Sequence, residues 1–178
     1  MITNQQLELL KQYKDKSYLN ALLAEQSYDY YNFVKNLINT PLIICNTAMV
    51  IINSIIDNQD LLKILNIILN SSTGLILSLI SNFKIYEKIT QYHQIQIKFN
   101  KLNHSIDSKI NNDLDNISSE YITGIIEDYD QILESIEYAY PTKIKNRIKQ
   151  QYEGKLALPS SLSVDVVECK TDCCCAKV

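Results

Sequence analysis

Two apolar stretches decide the fold, LINTPLIICNTAMVIINSII at residues 37–56 and LLKILNIILNSSTGLILSLISNF at residues 61–83. Lys35 and Asp57 enclose 21 consecutive uncharged residues, and Lys63 and Lys84 enclose another 20. A helix that rises about 1.5 Å per residue needs roughly 20 residues to cross a hydrocarbon core of about 30 Å. The two stretches therefore predict two membrane-spanning helices. The alternative is a soluble bundle in which both helices are buried.

The residues around these spans predict a hairpin and its orientation. Only the short connection Asp57-Asn58-Gln59-Asp60, which carries two acids, separates the two spans, so the helices are expected to be antiparallel. Lysines and aromatic residues flank the outer ends of both spans, and lysine-rich ends stay in the cytosol. We therefore expect an integral membrane protein with both termini cytosolic. The flanking residues are Lys11, Lys14, Lys16, Lys35, Lys84, Lys88, Lys98 and Lys101, with Tyr28, Tyr30, Tyr31, Phe33, Phe83 and Tyr86.

Each span carries a polar stripe. In the first span three asparagines recur every seven residues, and in the second span four small or amide residues recur every four. Such stripes either pack helices together, within a chain or between copies, or line a wet path through the membrane. We expect a homo-oligomer and leave both roles of the stripe open. The polar stripe consists of Asn39, Asn46, Asn53, Asn66, Asn70, Gly74 and Ser78.

The segments outside the spans predict further helices. Residues 3–6 have the spacing of a capping box, in which two side chains bond each other's backbone, and start an N-terminal amphipathic helix. After the second span, apolar residues step by three, four or seven from Ile85 to Leu114, and again from Ile122 to Ile136. The predicted fold is therefore all-α, a transmembrane hairpin with an N-terminal amphipathic helix and two long cytosolic C-terminal helices in a coiled-coil-like bundle.

The predicted regions are the N-terminal cytosolic helix (1–36), the transmembrane hairpin (37–83), the cytosolic helical region (84–152) and a flexible, cysteine-rich tail (153–178). Residues 102–140 hold nine acids and one lysine, whereas residues 141–155 are basic. The basic segment is either a solvated helix face or a contact with anionic lipid headgroups or an acidic neighbour. Its cations are Lys143, Lys145, Arg147 and Lys149.

The cysteines near the end of the sequence suggest a site of modification rather than of catalysis. Cys173, Cys174 and Cys175 form a cluster that could be palmitoylated beside a membrane. Metal binding is disfavoured there because no histidine lies nearby, and the final four residues match a prenylation box poorly. No phosphate-binding loop, nucleophile motif or zinc-protease motif occurs. We therefore expect neither an enzyme nor a cofactor. The net charge of −3 argues against a nucleic-acid partner.

The order of these parts resembles the SLATT family of two-span membrane proteins. The resemblance lies in Tyr18 and residues 28–31 before the first span, Pro41 at its start, and the run ILSLISNFKIYEK at residues 76–88. It continues through residues 89–93 and FNKL at 99–102, and the segment ILESIEYAYP at 132–141 looks like the family's closing helix. The likeness covers about residues 10–150.

The resemblance implies a membrane effector. SLATT proteins are viewed as pore-forming effectors of bacterial conflict systems, and stand-alone members occur in eukaryotes and large DNA viruses. In contrast to the effector pattern, we expect no fused sensor domain here, the spans are rich in asparagine, and the cysteine-rich tail is not a family feature. We expect membrane lipids and further copies of the chain as partners. The implied activity is channel-like or membrane-perturbing, and the alternative is a non-conducting scaffold of a virion or organelle membrane.

Overall fold

The computed structural model describes residues 3–55, 59–112 and 117–163, and every regular element in these ranges is helical. An all-α fold with two long apolar helices is therefore confirmed. The helices are α1 (Asn4–Ile55), α2 (Gln59–Asn82), α3 (Ile85–Asn112), α4 (Ser119–Glu134), α5 (Thr142–Tyr152) and α6 (Ser160–Ser163).

Helix α1 is one unbroken element that includes both the N-terminal amphipathic segment and the first apolar stretch. The expected capping box forms at its start, where the Gln6 amide nitrogen bonds Thr3 Oγ1 (3.3 Å) and the Thr3 nitrogen bonds Gln6 Oε1 (3.0 Å). Pro41 lies inside this helix. The expectation that Pro41 sits in a first helical turn is therefore wrong, and its missing N–H removes one bond from the helix interior.

Helices α2 and α3 run back along α1 as its antiparallel partner. The Lys14 ammonium pairs with the Asp107 carboxylate, the Tyr28 and His93 rings are 5.2 Å apart, and Asn66 bonds Asn53. In each pair the two residue numbers average to about 60, so the same alignment of α1 against α2 and α3 holds along the whole hairpin. With about 1.5 Å per residue, the 52-residue α1 is about 78 Å long.

The helix of the second apolar stretch and the helix that follows it are separated at one residue. Lys84 has a φ of 52°, in the left-handed region, and it separates α2 from α3. Its backbone nitrogen bonds the Ser81 carbonyl (3.0 Å) and its carbonyl accepts from the Lys88 nitrogen (3.0 Å). A left-handed residue after the last helical turn is a usual helix ending, normally provided by glycine.

The hydrophobic core lies in the half of the hairpin away from the apolar stretches. We call the assembly of residues 3–36, 85–112 and 117–163 the helical bundle. Its core joins α1, α3, α4 and α5. The most buried large side chains are Leu10, Leu19, Leu23, Tyr92, Ile95, Phe99, Ile106 and Ile148.

Helix α4 begins as the sequence predicts but ends early. Ser118 is its N-cap, and its hydroxyl accepts from the Tyr121 nitrogen (3.1 Å). The apolar period predicted a helix through Ile136, whereas α4 ends at Glu134. Residues beyond it turn so that the Tyr92 hydroxyl can donate to the Ala139 carbonyl (2.8 Å). That tertiary bond replaces the last helical turn.

The chain beyond α5 packs on the bundle as far as Leu162. The predicted tail starts at residue 153, but Pro159 and Leu162 are buried, and Leu156 and Leu158 lie against the core. The Ser161 hydroxyl also donates to Asn20 Oδ1 (2.7 Å). The bundle therefore includes part of the predicted tail. The apolar residues from Leu156 onward do not follow a helical period, so apolar periodicity could not predict that this segment packs on the bundle.

Candidate functional site: an exposed apolar hairpin

The most apolar windows of the hairpin are almost entirely exposed. Each of the two long apolar helices contains an 18-residue window of high mean hydropathy. In the window of α1 no residue is buried, and in the window of the second helix 6% of the residues are buried. Fourteen large apolar side chains between residues 37 and 83 are 45–73% exposed. The soluble alternative requires these windows to be buried, and within the described residues the chain does not bury them. This surface is the candidate functional site.

The two polar stripes meet at one hydrogen bond. Asn66 Nδ2 donates to Asn53 Oδ1 across 3.3 Å. Seven residues after Asn66, Thr73 Oγ1 is buried and makes no hydrogen bond. The seven-residue spacing from Asn66 is a signal that places Thr73 on the contact face, whereas the four-residue spacing of the predicted stripe passes over it.

The remaining stripe residues are placed differently. Asn46, Asn70, Gly74 and Ser78 are exposed. A Cβ added to Gly74 would meet no atom within 4 Å, so this glycine does not serve a close approach between α1 and α2. The two stripes therefore face each other only in part. The polar groups of Asn46, Asn70 and Ser78 lie on the outer surface of the hairpin.

A polar junction links the apolar hairpin to the bundle. Asn39 Nδ2 donates to the Tyr86 hydroxyl (3.1 Å), so the first stripe asparagine of α1 is bonded to the beginning of α3. The Tyr138 hydroxyl donates to Glu87 Oε2 (2.5 Å), and Lys84 Nζ lies 3.5 Å from the same oxygen. The Tyr138 hydrogen bond and the Lys84 charge hold the pKa of Glu87 below its usual value.

Aromatic rings and a lysine continue this junction into the bundle. Tyr31 stacks on Tyr92 (5.7 Å between centroids), and Tyr92 stacks on Tyr140 (5.6 Å). Lys88 Nζ lies over Tyr31 (5.2 Å) and over Tyr138 (5.7 Å). Burial raises the pKa of Tyr92 and of Tyr140 above the usual value. Tyr92 and Tyr140 therefore act as neutral packing groups.

The basic segment forms helix α5, which packs on α1. Lys143 and Arg147 line a groove between the two helices together with Gln26, Asp29 and Tyr30. Arg147 Nη2 donates to Gln26 Oε1 (2.5 Å). Lys145 and Lys149 are half-buried and do not line this groove. The structure thus divides the four predicted cations into two pairs.

The predicted acylation cysteines, Cys173, Cys174 and Cys175, lie outside the described residues. Cys45 is an exposed free thiol on α1. No group of three His, Cys, Asp or Glu side chains that could hold a metal ion occurs within residues 3–55, 59–112 and 117–163.

No protein-family model matches this chain, and neither a curated protein nor a solved structure shows significant similarity to it.

Proposed function

We propose that this chain is an integral membrane protein that crosses the bilayer as a hairpin and self-associates through the outward polar groups of its spans. The observation that carries the proposal is the exposure of both apolar windows. Burying one large apolar side chain is worth about 1.5–3 kcal/mol. Fourteen half-exposed side chains therefore leave roughly 10–20 kcal/mol unrealised in water, as much as the whole stability of a typical domain.

A bilayer supplies this cover better than a protein groove would. The exposed apolar residues occur along both helices over about 20 residues, which matches the hydrocarbon thickness. Charges return just beyond the stretches, at Lys35 and Lys84. Half-exposed Tyr86 and more exposed Phe33 and Phe83 lie near these ends, where membrane proteins concentrate aromatic side chains.

The outward polar groups support self-association. Amide and hydroxyl side chains in hydrocarbon need partners, and a second copy of the chain can provide them. Asn46, Asn70 and Ser78 make no such bond within the described chain and are exposed. We further propose that the assembled spans form a permeable path, as the resemblance to SLATT effectors implies.

A non-conducting scaffold is the second candidate. It is favoured because no ionisable residue occurs at residues 36–56 or 64–83, whereas ion routes through membranes usually include charge. In a scaffold the outward amides would hold copies together and admit no water. Both candidates therefore predict oligomers, but only the permeable path predicts a flux of ions or dye across the membrane.

The test compares two double variants in liposomes. Asn46→Leu with Asn70→Leu removes two outward amides, and Asn53→Leu with Asn66→Leu removes the bonded pair inside one chain. Each variant is assayed by carbonate extraction, by crosslinking and by release of ions or dye. We expect the outward variant to remain inserted and to lose crosslinked oligomers and flux, whereas the inner variant keeps its oligomers.

The remaining outcomes decide among the candidates. Oligomers without flux in the unmutated chain identify a scaffold. Retained oligomers with lost flux in the outward variant place the amides on the path rather than at the contact. Carbonate extraction of the unmutated chain refutes membrane insertion. If the outward variant keeps both its oligomers and its flux, the outward amides have no part in the function.

A further inference from the structure

The groove between α1 and α5 is a concave surface of the bundle with an exposed basic wall. It has a volume of about 680 Å³, within the roughly 300–1,000 Å³ of ligand-binding clefts. Lys143 and Arg147 are four residues apart, so both cations lie on one face of α5. Pro141 and Ile144 give the groove an apolar part, and Tyr30 offers a half-exposed ring.

The electrostatics of the groove favour an anion. Arg147 is held by its bond to Gln26, which fixes the guanidinium toward α1. The groove also lies at the beginning of α5, whose N-cap Pro141 provides no side-chain hydrogen bond to the first turn. The partial positive charge of a helix N-terminus adds to the two cations. Asp29 is the one acid that lines the groove, and it opposes them.

The groove lies close to the ends of the apolar stretches. The bonds from Tyr138 to Glu87 and from Tyr92 to Ala139 fix the segment before α5 beside the first two turns of α3. These α3 residues lie about 6–14 Å along the helix from Phe83, at about 1.5 Å per residue. Tyr30 lies about 10 Å before Leu37 by the same measure.

This level lies a few ångströms beyond the headgroup layer of a membrane. The headgroup layer extends about 5–8 Å beyond the hydrocarbon on each side. A headgroup phosphate that projects from this layer would therefore reach the groove, whereas the phosphodiester common to all phospholipids lies closer to the hydrocarbon.

We propose that the groove binds the projecting phosphate of an anionic phospholipid headgroup, with Lys143 and Arg147 as its ligands. This inference rests on the membrane placement proposed above and names the lipid class that the bundle recognises. The sugar-like part of such a headgroup would lie on Tyr30 and Pro141. Binding would fasten α5, and through it the bundle, to the membrane surface.

The test titrates a short-chain phosphatidylinositol monophosphate into the full chain in detergent micelles and counts bound lipid by native mass spectrometry. A cation near a lipid surface contributes about fivefold in affinity, so we expect Lys143→Gln with Arg147→Gln to weaken binding by about tenfold or more. The matched control is Lys145→Gln with Lys149→Gln, which removes the same charge from another face and should change binding less than about threefold. Asp29→Asn should strengthen binding.

Further arms separate the explanations. Equal losses in both double variants would show unspecific charge attraction and overturn the groove. Displacement of the lipid by inorganic phosphate at equal concentration would identify a free-anion site and overturn the lipid assignment. The same proteins are tested by carbonate extraction from liposomes. A chain that stays in the membrane but shows no preference over phosphatidylcholine refutes the groove alone, whereas a chain that is extracted refutes the membrane placement and the inference with it.

Discussion

The side-chain amide of Asn66 donates to Asn53 Oδ1 across 3.3 Å, in the register in which Lys14 pairs with Asp107 near the other end of the hairpin. A shift of one helix by a single residue rotates its side chains by about 100° and separates both pairs. The polar pairs therefore specify which faces of the long helices meet. The exposed apolar residues around Asn53 and Asn66 provide little such specificity.

A double-mutant cycle on Asn53 and Asn66 should measure this bond. We expect a coupling energy of about 0.6 kcal/mol, up to about 1.7, which is the range found for polar pairs between membrane helices. The measurement is reversible unfolding in bicelles of Asn53→Leu, Asn66→Leu and both together. The matched cycle on Asn46 and Asn70 should give no coupling within one chain. Equal coupling in both cycles would contradict the observed pairing.

Glycine at position 84 should stabilise the fold relative to alanine. Lys84 has a φ of 52°, and left-handed backbone costs an L-residue about 1–2 kcal/mol that glycine avoids. We therefore expect the free energy of unfolding of Lys84→Gly, measured by chemical denaturation, to be about 1 kcal/mol higher than that of Lys84→Ala. Both variants lose the same ammonium, so its contact with Glu87 cancels in the comparison.

The sign should reverse at a helical position. Lys101 is exposed within α3, and glycine costs about 1 kcal/mol relative to alanine in a helix interior. Lys101→Gly should therefore be less stable than Lys101→Ala. If alanine were the better residue at both positions, α2 and α3 would be one continuous helix and the break at Lys84 would be wrong.

Local sequence signals predicted the start of the first helix and the presence of two long apolar helices. The capping box at Thr3 depends on residues three apart and it forms, and Ser118 caps α4 over the same spacing. The apolar stretches follow from composition alone, and two long apolar helices are present. Such features need no tertiary partner, so a single sequence contains the information for them.

Tertiary bonds decided what the sequence could not. The break at Lys84 and the end of α4 at Glu134 accompany the contacts of Tyr138 with Glu87 and of Ala139 with Tyr92. These partners are 51 and 47 residues apart. The docking of Leu162 likewise depends on α1, far away in the sequence. The outward placement of Asn46 and Asn70 depends on the rotation of both helices, which a seven- or four-residue spacing leaves undetermined.

Alkaline pH should destabilise the bundle through Tyr129. Burial raises the pKa of this hydroxyl to about 12, although the hydrogen bond from Asn20 Nδ2 (3.0 Å) favours the charged form. The unfolded tyrosine loses its proton near pH 10, so the folded state binds the proton more tightly. The stabilisation is complete below pH 10 and is lost as the pH rises toward 12.

The measurement is the free energy of unfolding from pH 8 to 12 for the unmutated chain and Tyr129→Phe. We expect Tyr129→Phe to be less stable at pH 8, because Asn20 Nδ2 loses its acceptor, and its stability to decline less steeply above pH 10. Tyr30→Phe changes an exposed tyrosine and serves as the control. Parallel slopes for Tyr129→Phe and the unmutated chain would show that Tyr129 does not couple folding to pH.

Removal of the docked segment should destabilise the bundle. We compare a chain that stops after Ser163 with one that stops after Lys155. The shorter chain loses buried Leu162, worth about 2 kcal/mol, and leaves Asn20 Oδ1 without the Ser161 hydroxyl, at about 1 kcal/mol. We therefore expect the shorter chain to be roughly 3 kcal/mol less stable in denaturant unfolding. Equal stability of the two chains would mean that residues 156–163 are not part of the core.

The orientation proposed for the hairpin can be tested by labelling single cysteines in a chain whose native cysteines are replaced by serine. Lysines flank the outer ends of both apolar stretches, and such ends remain cytosolic. Gln59 begins α2 at the turn of the hairpin, whereas Tyr13 and Gln150 lie in the bundle. We therefore expect an impermeant maleimide added outside intact cells to modify Gln59→Cys and to leave Gln150→Cys unmodified until the membrane is opened. Gln150 is exposed on the bundle, so failure of the maleimide to modify Gln150→Cys would be due to the membrane and not to burial in the fold. Half-buried Tyr13 provides a second position in the bundle. Labelling of Gln150→Cys but not Gln59→Cys in intact cells would reverse the orientation.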